Sequence, residues 1–235
     1  MTTAPFHGLY KPAAPAGSSL LEGLVLALNM DDATDSSEQH EVENGGAVTF
    51  DVNGANFPGS ANGFLEVPIA GNLQLAGHSL SIYFRASFDT FTTGAKYLFS
   101  CYGTDSRVVA EIYTGYTGAG GIGFLDFDFS DSDAGFPFTE TGRNLSPNTF
   151  YDVIAWIDQD EHTINIQVDG NPPNSAPIAG GSMEPFTYAD DLYIGSFTGA
   201  GDFLPGKMRR LYVWDRVLTP DERAEILTGA VYPFS

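Results

Sequence analysis

The chain has 235 residues, 30 acidic and 10 basic, for a formal net charge of −20. Ten cations cannot line a phosphate track against thirty carboxylates, which excludes nucleic acid as a partner and disfavours an anionic membrane surface. Aromatics reach 13% and charged residues only 17%. That excludes a disordered acidic chain and leaves much of the polarity to Gly, Ser, Thr and Asn, the residues of turns and strands.

Residues 1–18 hold Pro5, Pro12 and Pro15 without periodicity and read as an extended Pro-rich arm. Its Phe6, Leu9 and Tyr10 are expected to dock on a neighbouring chain. Residues 19–235 read as one domain. Strands are predicted at 24–30, 47–52, 63–67 and 79–88; in the last, Leu80, Ile82 and Phe84 alternate with Ser81, Tyr83 and Arg85. More follow at 97–101, 108–113 and 123–129, where Leu125, Phe127 and Phe129 take one face and Phe124, Asp126 and Asp128 the other. Residues 150–158 and 163–168 form a hairpin, and Asp169-Gly170 ends its second strand. Strands at 192–196 and 207–214 complete the series, with a β-bulge near Arg209-Arg210 where the apolar phase breaks. Thr219-Pro220-Asp221-Glu222 is a capping box with proline at the first helical position, predicting a two-turn helix over 219–228. Many short strands punctuated by Gly, Asn and Pro mean an all-β, two-layer antiparallel sandwich.

Cys101 is the only cysteine, lies in an apolar run and reads as a buried, inert thiol. No run approaches the ~18 apolar residues of a membrane-spanning helix, so no membrane insertion is expected. No basic region followed by an apolar core opens the sequence, so no signal peptide is visible and assembly in the cytosol is expected.

Toward the C-terminus come Leu192-Tyr193-Ile194-Gly195-Ser196, then residues 203–206, then Leu211-Tyr212-Val213-Trp214-Asp215-Arg216-Val217-Leu218-Thr219-Pro220-Asp221-Glu222. This order resembles the ending of the laminin-G-like jelly rolls of the concanavalin A-like lectin/glucanase superfamily. Phe150-Tyr151-Asp152-Val153 with Val168-Asp169-Gly170 is similar to that family's aromatic-led hairpin. Residues 24–31 followed by Asp35-Ser36-Ser37 are similar to its first strand and loop. The resemblance covers about residues 20–230 and implies a jelly-roll sandwich. There is one departure: members often carry acids after the glycine of the final strand, and this chain has Lys207-Met208-Arg209-Arg210. In that fold the first and last strands lie close together, so Arg209 or Arg210 is expected to pair with Asp31, Asp32 or Asp35.

A hydrolase of this superfamily would carry E-x-D-x-x-E, which sets nucleophile and acid/base carboxylates on one strand face. That spacing is missing here, as are G-x-S-x-G and H-E-x-x-H. The protein is therefore expected not to be an enzyme and to have no catalytic residues. Asp31, Asp32 and Asp35 are the candidate calcium ligands, because hard cations take clustered carboxylates; the competing reading is turn and capping aspartates. Carbohydrate binding would use rings for stacking and carboxylates for hydroxyls. The candidates are Tyr113, Tyr116, Phe136, Phe138 and Tyr188 with Asp126 and Asp128, against the reading of rings as core filling.

The fold alone does not choose a function. The preferred reading is a non-enzymatic structural or adhesive virion protein: a capsid decoration or cement protein, or a tail-associated protein, of a bacteriophage. It would assemble in the host cytoplasm with other virion chains and as a homo-oligomer. The alternative is a carbohydrate-binding module or lectin, calcium-dependent, extracellular or at the cell surface, with glycans as partners.

Overall fold

Alternating runs and turn residues produce a sandwich of two antiparallel sheets with one short C-terminal helix. The computed structural model describes residues 19–68, 79–91, 94–103, 108–116, 123–129, 137–141, 144–178, 188–229 and 232–233. The arm at 1–18, with Phe6, Leu9 and Tyr10, lies outside them, as does Phe136. In chain order the strands are β1 (Leu24–Leu28), β2 (Glu43–Asn44), β3 (Thr49–Asp51), β4 (Gly54–Pro58), β5 (Leu65–Val67), β6 (Leu80–Phe88), β7 (Tyr97–Gly103) and β8 (Val108–Tyr116). They continue with β9 (Gly123–Asp128), β10 (Phe138–Glu140), β11 (Tyr151–Asp158), β12 (Thr163–Val168), β13 (Asn174–Pro177), β14 (Tyr188–Ile194) and β15 (Pro205–Trp214), and the helix α1 spans Pro220–Leu227.

The eight-stranded sheet runs β13-β12-β11-β6-β15-β4-β3, with β1 also paired to β15; the seven-stranded sheet runs β10-β9-β8-β7-β14-β5-β2. In both sheets β1 to β5 therefore meet the later strands only through β14 or β15. One edge of β15 is divided: Pro205–Met208 pair with β4, and Leu211–Trp214 pair with β1. Against β6 the register of β15 slips between Met208 and Arg210, which is the predicted bulge. Gly54 is fixed by that bulge, since its φ is +109° and a Cβ there would lie 2.3 Å from the Met208 carbonyl oxygen. The expected pairing of Arg209 or Arg210 with Asp31, Asp32 or Asp35 does not form. Arg209 lies over the Phe150 ring at 4.0 Å and Arg210 over the Tyr232 ring at 3.8 Å, where the guanidinium planes find π faces instead of carboxylates.

The main core lies between the sheets. Ile82, Phe84, Val153, Leu211 and Val213 point toward Phe99, Ile112, Leu125, Phe127, Leu192 and Ile194. A second cluster covers the other side of the eight-stranded sheet, where Tyr83, Ile154, Trp156, Tyr212 and Trp214 pack beneath Leu20, Leu218 and Ile226. Burial on both sides explains why β6 and β11 are buried almost without alternation. The helix is too short to persist alone and is held by its cap and this packing. Thr219 Oγ1 accepts from the Glu222 amide at 3.3 Å, and the Thr219 amide donates to Glu222 Oε2 at 2.7 Å. Arg216 closes the junction: it donates twice to the Glu222 carboxylate, at 2.7 and 2.8 Å, and also to the carbonyls of Ser19 and Glu22. Cys101 is buried in β7, as its apolar surroundings predict. Among the described residues no helix is long and apolar enough to cross a membrane.

Candidate functional site

Helix α1 covers the outer side of the eight-stranded sheet, and no described helix covers the outer side of the seven-stranded one. Alternation along β9 sends Leu125 and Phe127 into the core and Asp126 and Asp128 outward. Register then gathers the neighbours. Glu111 stands opposite Asp128, and Tyr113 opposite Asp126. From β10, Phe138 stands opposite Asp128 and Glu140 opposite Asp126. Tyr97 faces Tyr113, and Ser100 faces Glu111. Beyond them Tyr193 faces Ser100, Glu66 faces Tyr193, and Glu43 faces Glu66. Directly opposed residues share a side of the sheet, so one face carries carboxylates at both ends and rings between them.

The rings form a band. Tyr97 lies 5.2 Å from Tyr113 and 5.0 Å from Phe197, and Phe64 lies 5.8 Å from Tyr193 and 6.4 Å from Phe203, between centroids. Phe197 and Phe203 come from the loop between β14 and β15. In it Thr198 (φ 47°) and Asp202 (φ 50°) occupy the left-handed region, which is strained for a β-branched threonine. Ser196 Oγ accepts from the Gly199 amide at 3.0 Å, and Lys96 ties Asp202 to the sheet at 3.3 Å. Phe138 adds a ring that is 59% exposed at the margin beside Asp128.

The acids raise one another. Burial first, then the charges of Glu140 and Asp128, pushes Asp126 up to about 7. Burial also lifts Asp128, and the charge and hydrogen-bonding contact of Glu111 lift it further; the Tyr113 hydroxyl, donating to Asp128 Oδ2 at 3.0 Å, opposes this. Glu66 is raised by burial and then by Asp191 and Glu43. Burial and the neighbouring carboxylates hold Tyr97 and Tyr113 above the usual phenol range. Asp128 Oδ1 and Ser100 Oγ are buried and lack any hydrogen-bond partner. Near neutral pH the face therefore offers carboxyl groups in both protonation states beside half-buried rings, a surface suited to hydroxyl-rich ligands.

The structure brings together four predicted carbohydrate-site residues, Tyr113, Asp126, Asp128 and Phe138. Tyr116 closes β8 and Tyr188 opens β14 in the same sheet. Sequence reasoning missed Glu111, Glu140, Tyr97, Ser100 and Tyr193. Their signal was present in part, since Glu111 and Tyr113 repeat the i, i+2 spacing of Asp126 and Asp128.

The predicted calcium ligands do not converge. Both Asp35 carboxylate oxygens already accept hydrogen bonds: Oδ1 from the amides of Ala27 and Ser37, Oδ2 from those of Gln39 and His40. Asp31 and Asp32 stay exposed, and Asp31 lines a cleft of about 160 Å³ with Asp51, Arg209 and Arg210. Among the described residues no group of three His, Cys, Asp or Glu is arranged to hold a metal ion. The turn reading of Asp35 thus replaces the calcium reading, because backbone donors fill its coordination sites.

Residues 58–222 match the laminin G 3 family profile, described as the concanavalin A-like lectin/glucanases superfamily. No curated protein matches the sequence. Among solved structures, the chain is similar to the binding domain of Paraclostridial Mosquitocidal Protein 1, at TM-score 0.68, 13% identity, 88% of this chain and 52% of that one. It is also similar to the botulinum neurotoxin serotype D ligand binding domain in complex with N-acetylneuraminic acid, at TM-score 0.65, 11% identity, 88% of this chain and 51% of that one. A third is botulinum neurotoxin type C, which enters cells in dependence on interaction with two ganglioside molecules, at TM-score 0.67, 14% identity, 89% and 52%. The chain thus spans about half the length of these structures. At such identities the likeness shows the shared sandwich.

Proposed function

We propose, for a chain that belongs to the concanavalin A-like lectin/glucanases superfamily, a carbohydrate-binding function exercised by the outer face of the seven-stranded sheet. The observation that carries this reading is the band of Tyr97, Tyr113 and Phe197, with exposed Phe138 at its margin, set against Asp126 and Asp128. Rings give a flat apolar surface for a sugar face, and carboxyl groups fix its hydroxyls. The ligands named for the structural relatives, N-acetylneuraminic acid and gangliosides, support a carbohydrate over a particle-decorating role. Nothing in those likenesses speaks for a virion, and the arm on which that reading leaned lies outside the described residues. Binding without hydrolysis is the form proposed, since the superfamily's E-x-D-x-x-E spacing is missing and the matched structures are binding domains.

The test is a glycan array followed by titration calorimetry on the best hit. Tyr113→Ala and Phe138→Ala should each weaken binding about tenfold or more, the equivalent of about 1.4 kcal/mol. An array with no hits, or affinities unchanged in both variants, would remove this face as the site.

A further inference from the structure

The charge of the site narrows its ligand. Asp126 on β9 has Glu140 opposite on β10 and Asp128 two residues along, which has Glu111 opposite on β8. No ammonium or guanidinium of the described residues forms an ion pair with Asp126 or Asp128; Lys96, the nearby cation, is taken by Asp202. Beneath this spot two atoms are short of partners. Asp128, 8% exposed, has Oδ1 without a donor, and Ser100, fully buried on the same face opposite Glu111, has an unpartnered hydroxyl. Among the described residues the site therefore holds no cation paired with Asp126 or Asp128 and leaves one acceptor, Asp128 Oδ1, without a donor, beside rings that fit a pyranose. A protonated amine supplies both deficits, carrying one charge and three donors on one small group. An anionic sugar meets four carboxyl groups there and, among the described residues, no cation paired with Asp126 or Asp128.

We infer that the face prefers sugars bearing a free amino group, such as glucosamine units, with the ammonium held between Asp126 and Glu140 and the ring seated on Tyr113 and Phe138. This inference rests on the carbohydrate reading above and narrows it. Neutral N-acetylated sugars keep the stacking and lose the ion pairs. Sialylated sugars lose the ion pairs and add repulsion.

The decisive experiment compares a glucosamine oligomer with the N-acetylated oligomer of equal length, by calorimetry at about pH 7, where an amine keeps most of its proton and Asp126, at about 7, is about half ionised. The glucosamine oligomer should bind about tenfold tighter or better, and the advantage should shrink as salt screens the exposed part of the attraction. In the double variant Asp126→Asn, Glu140→Gln the ratio of the two affinities should fall toward one. Both side chains lie at the surface or half-buried, and a melting curve verifies that the variant is folded. Equal affinities for the two oligomers, or an advantage that survives the double variant, would overturn the amine preference while leaving carbohydrate binding in place. Binding of oligolysine as tight as that of the glucosamine oligomer would also overturn it, in favour of an unselective acidic surface. If neither oligomer nor any arrayed glycan binds, both readings fall together.

Discussion

On the outer side of the eight-stranded sheet, Asp152 accepts from the Tyr83 hydroxyl at 2.6 Å and pairs with Arg85, and Glu222 sits in the fork of Arg216. On the outer side of the seven-stranded sheet, Asp126, Asp128 and Glu66 face other acids. The two sides respond oppositely. The Arg216 hydrogen bonds, outweighing burial, hold Glu222 down at about 2, while burial without a cation lifts Asp126 to about 7. Desolvation acts on both carboxyl groups in the same direction, so the partner decides the sign. One side has spent its charges on holding the helix and sheet together. On the other, no cation among the described residues pairs with Asp126 or Asp128.

The largest effect should come from the packed side. Trp214→Ala removes a fully buried ring and the 2.8 Å bond from its Nε1 to the Leu20 carbonyl, and urea unfolding should show a loss of about 3–5 kcal/mol. Arg216→Ala strands the nearly buried Glu222 and frees the Ser19–Leu21 turn, with an expected loss of about 2 kcal/mol. The acid titration checks the same pair. The folded value of Glu222 lies below its unfolded 4.5, so its contribution is present above that pH and lost as pH falls through about 2. In Arg216→Ala this acid-side loss should flatten.

The open side should show the opposite slope. Asp126 has a folded value above its unfolded 3.8, so the folded state keeps a proton that the unfolded chain has released. Its contribution is complete below that pH and is lost as pH rises through about 7. At pH 8, Asp126→Asn should therefore raise the melting temperature by roughly 2–4 °C, the equivalent of about 1 kcal/mol at this size. A lower melting temperature would mean that an undetected partner holds this carboxylate and that the contrast between the faces is wrong. Phe138→Ala should leave stability within about 0.5 kcal/mol while reducing glycan affinity, because its ring is open to solvent. Smallest of all, EDTA should not move the melting temperature, since amides already occupy the oxygens of Asp35.

Local chemistry made part of this legible in advance. The capping box at Thr219 and Glu222, the slip beside Arg209 and the hairpin of β11 and β12 each depend on a few neighbouring residues, and each formed as read. β2, β4, β10 and β13 escaped notice because two to five residues such as Asn174-Ser175-Ala176-Pro177 carry no pattern; a partner strand makes them strands. The site divides in the same way. Asp126 and Asp128 share a face by alternation, which is readable. That Glu111, Tyr97 and Glu140 join them depends on which strands are adjacent and in what register, which is a property of the topology. Closeness along the chain misled for Asp31, Asp32 and Asp35: the first two project to solvent, and the third folds back on its own loop.

The position of β14 and β15 has a kinetic consequence. During synthesis the five earliest strands emerge long before anything that can pair them to the middle of the chain, because their only links are the two strands made last. Until then β6 and β7 present open edges, which are templates for intermolecular pairing, and β1 must wait for a partner nearly two hundred residues downstream. Folding of the sandwich is thereby deferred to a late, concerted step. A chain interrupted before Pro205 should not lose stability by degrees; it should fail to close the eight-stranded sheet and be directed to chaperones or aggregation.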